Sequence, residues 1–135
     1  ELLGMKTEQV NIKDWYFEGG IKTAAGKCRI VPIHDRIKPF VKALVDEGNK
    51  YLFTYQGKKF SQANYYKCWG EVMEKIGADK TPHEARHTFE TNLDNAKGNR
   101  KCIDMLMGHE PKDVGDRVYN HKTVERLREP VALLK

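Results

Sequence analysis

A repeated order of capping residue, apolar stripe and glycine runs through the second half of the chain and limits what it can fold into. Ser61 stands before one stripe and Gly77 after it. Thr81-Pro82 supplies a hydroxyl cap and then a proline suited to the first helical turn, and Gly98 follows the next stripe. Residues 99–108 repeat the order from asparagine to glycine. The pattern predicts short helices in series.

The spacing also predicts which side chains each helix buries. An earlier helix is expected after Pro32 and ends at Gly48, and a last one follows Thr123 and is disturbed by Pro130. From the first helix to the last, the expected stripes are Ile37, Phe40, Val41, Leu44, Val45; Tyr65, Trp69, Val72, Met73, Ile76; Ala85, Phe89, Leu93, Ala96; Cys102, Ile103, Leu106, Met107; and Val124, Leu127, Val131, Leu134. Residues 51–53 and 111–122 remain ambiguous.

The first quarter of the chain predicts β-structure instead. Segments 8–12, 14–21 and 28–33 are short and rich in β-branched and aromatic residues. Residues 19–27, GGIKTAAGK, contain three glycines and predict a hairpin loop. We therefore expect one α+β domain over residues 1–135, mainly helical, with a small antiparallel three-stranded sheet near the N-terminus followed by a helical bundle.

Composition narrows the class of protein. The net charge is +5, and residues 1–60 hold 11 Lys and Arg against 7 Asp and Glu, which favours an anionic partner such as nucleic acid. No apolar run is long enough for a membrane span, so no membrane partner is expected. The three cysteines form no CxxC pair and predict a reducing, cytoplasmic location. The opening ELLGM carries no start or cap signal and suggests an excised domain.

The stretch TPHEARHTF, residues 81–89, admits two chemistries. His83-Glu84-x-x-His87 has the spacing of a zinc-protease helix, with His109 or Glu110 available as a third ligand. Against zinc, Thr81-Pro82 puts His83 in the first turn, and Arg86 would set a cation beside the metal. We therefore expect no metal site and no cofactor.

A phosphate site is the second interpretation. A helix N-terminus attracts anions, and Arg86 adds a planar fork of donors one turn inside the helix. His83 lies on the same face and can donate or move a proton, whereas His87 falls at the edge and is interpreted as packed or capping. His109, after a helix-ending glycine, and Tyr119, ten residues later, could act on the same phosphate.

These segments together resemble the catalytic block of the tyrosine recombinases, the phage integrase family. The matching motifs are T-P-H-x-x-R-H-T-F, then L-M-G-H, then V-Y-x-H, with IKTAAGKCRIVPI similar to the lysine-bearing β-hairpin and Glu1-Leu2-Leu3 similar to the tail of an Arg-x-x-Glu-Leu segment. The resemblance covers essentially the whole chain in the expected order.

The resemblance implies a role for each matching residue. Tyr119 would attack a DNA phosphodiester to form a 3′-phosphotyrosyl link, while Arg86 and His109 would hold the phosphoryl oxygens. His83 would be the acid–base partner, and Lys22 would protonate the leaving 5′-oxygen. Lys27 on the same hairpin is the rival to Lys22. The implied activity is metal-independent site-specific DNA recombination on double-stranded DNA; the alternatives are a type IB-like topoisomerase and a non-catalytic DNA-binding remnant.

The resemblance also sets limits. The family's first arginine would lie three positions before Glu1, outside the chain, as would its DNA-clamping N-terminal region, so we expect poor cleavage by this chain alone. The gap from His109 to Tyr119 is one residue longer than the commonest family spacing. We expect the full-length protein to self-associate as a tetramer on DNA and the isolated chain to be a monomer. The expected location is cytoplasmic and nucleoid-associated, in a bacterium or phage host. The last helix could dock on a neighbouring protomer or fold back on its own chain.

Overall fold

The chain folds into a small sheet followed by a set of helices, as a computed structural model describes it for residues 2–19, 29–109 and 124–134. Five α-helices lie in those ranges: α1 Lys38–Asp46, α2 Gln62–Ile76, α3 Pro82–Asn95, α4 Arg100–Met107 and α5 Val124–Ala132. Single 3₁₀ turns cover Leu2–Gly4, Thr7–Gln9 and Asp35–Ile37. The predicted α+β class, mainly helical, is confirmed.

The predicted three-stranded sheet is present, with shorter strands than expected. Its strands are β1 Val10–Asn11, β2 Tyr16–Glu18 and β3 Ile30–Pro32, antiparallel in the order β1-β2-β3. Phe17 pairs with Val31, and the Gly19 N–H donates to the Arg29 carbonyl at 2.9 Å. The base of the predicted hairpin is therefore closed, while residues 20–28 of its loop lie outside the described residues.

A second hairpin was missed by the sequence prediction. Strands β4 (Thr54–Tyr55) and β5 (Lys58–Lys59) pair across Gln56 and Gly57, whose φ angles of 50° and 74° are the left-handed pair that a tight two-residue turn requires. Gln-Gly is a weaker signal for such a turn than Asn-Gly. Just before it, Leu52 is only 1% exposed, so the ambiguous segment 51–53 anchors this hairpin.

The helix limits follow the predicted caps. The side chains of Ser61 and Asn99 accept hydrogen bonds from backbone N–H groups three residues on, at 3.2 and 3.3 Å, and Gly77 and Gly108 take left-handed conformations after α2 and α4. The end of α3 differs. There the left-handed residue is Lys97, with φ 57°, and not the following glycine.

Gly98 is instead required by close packing. A Cβ atom at this position would lie 3.0 Å from the Leu93 carbonyl oxygen, 3.2 Å from Pro130 Cβ and 3.3 Å from Ile103 Cδ1. These neighbours belong to α3, α5 and α4, so the three helices meet over the bare backbone of Gly98. The missing side chain lets α5 approach the α3–α4 turn.

The core joins α3, α4, α5 and β3. Its buried members come from the predicted stripes: Leu93, Cys102, Ile103, Leu106, Met107, Leu127 and Val131. Because α5 contributes two of them, it packs on its own chain, and His34 Nε2 lies 3.1 Å from the carbonyl oxygen of Leu134 beyond its end. Between the two outcomes considered for the last helix, this structure shows packing in cis.

Five stripe residues expected to be buried are exposed, and the prediction was wrong for them: Ile37, Phe40, Val72, Ile76 and Ala85. In α2 no residue is buried, and its described aromatic contacts form a stack along one edge. The stack runs Tyr55, Phe60, Tyr65 and Trp69, with neighbouring ring centroids 5.3–6.1 Å apart. The part of the α2 stripe away from this stack, Val72 and Ile76, remains uncovered by the described residues.

Pro130 lies inside α5 without ending it. A proline lacks the N–H that would bond the carbonyl four residues earlier, which here belongs to Arg126. The thiol of buried Cys102 lies 3.8 Å from that carbonyl oxygen and donates a weak hydrogen bond to it. The interruption expected at Pro130 is thus accommodated inside the core.

Two further expectations concern cysteines and membranes. Cys68 and Cys102 are free thiols, and Cys28 lies outside the described residues. Across the ranges that the structure covers, no helix is both long and apolar enough to cross a bilayer.

We expect Gly98→Ala to destabilise the fold by about 1–3 kcal/mol, the usual cost of overpacking a filled site. Gly70→Ala, in the middle of α2, is the matched control: a Cβ there meets nothing within 4 Å, so it should stabilise the protein by about 0.5–1 kcal/mol through helix propensity. Urea unfolding followed by circular dichroism measures both. Equal effects of the two alanines would contradict the close approach at Gly98.

Candidate functional site

The first turn of α3 is held by a reciprocal cap. The Thr81 hydroxyl accepts from the Glu84 N–H at 3.3 Å, and the Glu84 carboxylate accepts from the Thr81 N–H at 2.7 Å. The backbone N–H of Thr81, with the ammonium of Lys80 and the Thr81 hydroxyl, lowers the pKa of Glu84 to about 2. Glu84 is therefore committed to starting the helix that carries His83 and Arg86.

Arg86 points along α3 to the end of the next helix. Its Nη2 donates to the Met107 carbonyl oxygen at 2.5 Å, and its side chain is half-buried. That carbonyl belongs to the C-terminal end of α4, where the helix dipole is negative and favours a cation. The contact fixes the guanidinium two residues before His109 and leaves its other donors for a ligand.

A second arginine reaches the same oxygen. Arg29, directly before β3, donates from Nη1 to the Met107 carbonyl at 3.1 Å. It lies against Gly108, where a Cβ atom would come within 2.7 Å of that nitrogen. Gly108 therefore serves two needs, a φ of 69° after α4 and room for the arginine. Two cations converge on one turn.

His109 is placed by that turn. Its N–H donates to the Asp104 carbonyl at 2.9 Å and the Gly108 N–H donates to the Met105 carbonyl at 3.0 Å, the double hydrogen bond of a Schellman motif. The imidazole Nδ1 lies 3.3 Å from Asp104 Oδ1, and the side chain is 42% exposed. The ring is thus held on one side and open to solvent on the other.

Asp104 is itself held by Arg100. The guanidinium of Arg100 pairs with Asp104 at 2.9 Å on α4 and with Glu90 and Asp94 of α3 at 2.8 and 2.9 Å. These carboxylates, Glu90 first, raise the pKa of Arg100 above its usual range. The ion pairs link α3 to α4 behind His109.

His83 and His87 lie together on the exposed side of α3. Their rings pack edge to face with centroids 4.8 Å apart, and both side chains are exposed. His87, which the sequence suggested to be packed or capping, packs its ring against His83 at the surface and is not buried. Within the described ranges, His83 forms no hydrogen bond or ion pair with Arg86 or His109; it shares only the helix α3 with Arg86.

The zinc interpretation finds no support in this arrangement. Glu84, the base it needs, is committed to the helix cap. The described side chains whose ligand atoms gather within 4.8 Å are Glu90, Asp104 and His109, a group without His83 or His87. Glu110, the alternative third ligand, lies outside the described residues.

Of the five predicted catalytic residues, the structure describes three. Arg86 and the turn bearing His109 come together through the Met107 carbonyl, and His83 stands one turn away from Arg86 on α3. Lys22, its rival Lys27 and Tyr119 fall within residues 20–28 and 110–123, outside the described residues.

No role was predicted from the sequence for Arg29, Asp104 or Arg100. A signal existed for Asp104 and Arg100, since they are four apart on one predicted helix, the spacing of an ion pair. For Arg29 the only signal was a basic residue at the start of a strand. Its contact with the Met107 carbonyl spans 78 residues and could not be inferred locally.

Comparison with known proteins points to one family. The sequence model of the phage integrase family matches residues 1–126. Tyrosine recombinase XerA of Pyrococcus horikoshii is 28% identical, with an alignment that covers 100% of this chain and 49% of the relative. Tyrosine recombinase XerD of Vibrio vulnificus is 24% identical over 96% of this chain and 46% of the relative.

A solved structure agrees. The crystal structure of a XerA recombinase superposes with a TM-score of 0.69 at 25% identity, covering 96% of this chain and 50% of that chain. The chain thus spans about half the length of these relatives.

The cap at Glu84 predicts a pH-dependent stability. Its pKa lies below the ordinary 4.5, so the stabilisation is present above that value and is lost as pH falls toward about 2. We expect Glu84→Gln to melt at a lower temperature than the wild type at neutral pH, and the difference to shrink between pH 5 and about 2. Thermal melts across this range measure it; a difference that does not vary with pH would contradict the cap.

Proposed function

Since the chain belongs to the phage integrase family, the tyrosine recombinases, we propose that it carries the catalytic residues of a site-specific DNA recombinase. The proposed reaction is cleavage and rejoining of DNA strands through a 3′-phosphotyrosyl intermediate. Double-stranded DNA is the proposed substrate, in agreement with the net charge of +5.

The observation that best supports this proposal is the contact between Arg86 and the Met107 carbonyl. It brings two separate segments of the resemblance, the one starting at Thr81 and the one ending at His109, to a single place. A zinc hydrolase would not need this contact. A phosphate clamp does, because a planar guanidinium must be held before it can hold two oxygens in fixed directions.

The charges at the site suit phosphoryl transfer. In the transition state negative charge spreads over the nonbridging oxygens, and positioned cations stabilise it more than they stabilise the starting phosphodiester. Arg86 would hold those oxygens, His109 would donate to one of them, and nearby Arg29 would add to the positive field. In this scheme side chains supply the electrostatic stabilisation, so the chemistry is proposed to be metal-independent.

The strand cleavage is a transesterification. The Tyr119 oxygen forms a bond to phosphorus as the bond from phosphorus to the 5′-oxygen breaks. His83 takes the phenol proton, and Lys22 gives a proton to the leaving 5′-oxygen, which becomes a hydroxyl. Rejoining reverses these steps with another 5′-hydroxyl, so no external energy source is needed.

Partners follow from this chemistry. Recombination exchanges strands between two duplexes, so we propose that the complete protein self-associates on DNA. The chain alone would bind DNA weakly, with an affinity that falls steeply with salt as phosphate contacts are screened. A cytoplasmic, DNA-associated location agrees with this role.

We expect Tyr119→Phe to abolish the covalent protein–DNA adduct, because phenylalanine lacks the attacking oxygen. The assay uses a nicked suicide oligonucleotide and a longer protein in which a segment with the family's first arginine precedes this chain. Wild-type protein should accumulate an adduct stable to denaturing electrophoresis. An undiminished adduct in the phenylalanine variant would move the nucleophile to another residue.

The 135-residue chain alone should form little or no adduct on the same oligonucleotide, because one of the two arginines expected at the phosphate is missing. Robust adduct formation by this chain would contradict the need for that arginine.

Relaxation of supercoiled plasmid without a recombination site would favour a topoisomerase, and failure of both proteins to form any adduct would favour a DNA-binding remnant.

A further inference from the structure

The carboxylate of Asp104 is shared between two cationic or protonated groups. Its Oδ1 lies 3.3 Å from His109 Nδ1 and 2.9 Å from the Arg100 guanidinium. The same residue accepts the His109 N–H with its backbone carbonyl at 2.9 Å. His109 is therefore held by Asp104 twice, once through the main chain and once through the ring.

The ring contact decides where the imidazole carries its proton. An ionised carboxylate only accepts hydrogen bonds, so His109 must present Nδ1 as an N–H toward Asp104. The neutral ring then has a bare Nε2, and only the charged ring has a second N–H to offer there. Donation by His109 to a phosphoryl oxygen thus uses the imidazolium.

Arg100 fixes the direction of that carboxylate. It pairs with Asp104 and also with Glu90 and Asp94 on the neighbouring helix, an arrangement that favours the observed direction of the Asp104 side chain. Glu90, Asp104 and His109 also have the grouping of a cation site, but the guanidinium of Arg100 already lies against both carboxylates. The arrangement therefore fits the orientation of a histidine better than the binding of a metal.

We propose that Asp104 is the positioning residue for His109. Asp104 holds the imidazole ring at Nδ1, so that the ring presents Nε2 to the substrate phosphate. This inference rests on the proposed function for the role of His109, whereas the state of the ring does not depend on it. Asp104 would act through His109 without touching DNA.

The test compares Asp104→Ala with Asp94→Asn in the 135-residue chain. Both remove a carboxylate from Arg100, but only the first removes the partner of His109. Long-range ¹H–¹⁵N NMR, at a pH where the ring shifts show a neutral imidazole, reports which nitrogen is protonated, and His109→Gln assigns the signals. We expect Nδ1–H in the wild type and in Asp94→Asn, and a shift to Nε2–H in Asp104→Ala.

An unchanged tautomer in Asp104→Ala, or an equal change in Asp94→Asn, would overturn the proposal. The backbone bond from the His109 N–H does not need the Asp104 side chain, so the turn should survive. If the alanine variant does not fold, Asp104→Asn replaces it, because its neutral amide is a weaker acceptor and the Nδ1-protonated fraction should still fall.

A second measurement tests whether the Asp104 contact with the His109 ring affects the rate of the reaction. In the longer protein, Asp104→Ala should slow adduct formation by about tenfold or more, part of the 10²–10³ that loss of a transition-state donor costs. Asp94→Asn should stay within about twofold of the wild type, since an exposed ion pair contributes little. If the wild-type longer protein forms no adduct, the recombinase function is refuted, and the NMR result alone decides the positioning role of Asp104. If the wild type forms adduct and Asp104→Ala forms it equally fast, the positioning role is overturned.

Discussion

The hydrogen bonds accepted by the Met107 carbonyl organise the site. This oxygen ends α4, and it receives Arg86 from α3 at 2.5 Å and Arg29 from the start of β3 at 3.1 Å. Guanidinium groups would repel one another without a negative partner, and the helix end supplies one that does not neutralise them as a carboxylate would. The positive charge therefore stays available to an anion.

The packing of the described helices and sheet supports this convergence. The core that joins α3, α4, α5 and β3 fixes the distance between the start of α3 and the end of α4. At Gly98 and Gly108 the absence of a side chain allows the close approach of Pro130 and Arg29. By contrast, α2 buries no residue, and it contacts the site through the Trp69 indole, which donates to the Lys80 carbonyl just before the cap of α3.

The electrostatic design has two layers. Arg86 and Arg29 stand at the turn before His109, while the acidic side chains of Glu90, Asp94 and Asp104 gather around Arg100 behind it. Within this acidic group, Asp104 Oδ1 lies 3.3 Å from His109 Nδ1. Opposite charges in separate places let one histidine sit between a carboxylate and the proposed phosphate.

Local chemistry in the sequence was sufficient for the helix limits, because caps such as Ser61, Thr81 and Asn99 act within a few residues. It was also sufficient for the order of motifs that resembles the recombinases. It failed where distant elements decide. Phe40 and Ile76 were expected to be buried, but no described neighbour covers them and both are exposed. The left-handed residue after α3 is Lys97 and not Gly98. The convergence of Arg29 and Arg86 on the turn after α4 arises only from tertiary packing, because they lie 78 and 21 residues from Met107 and no local spacing encodes their distance.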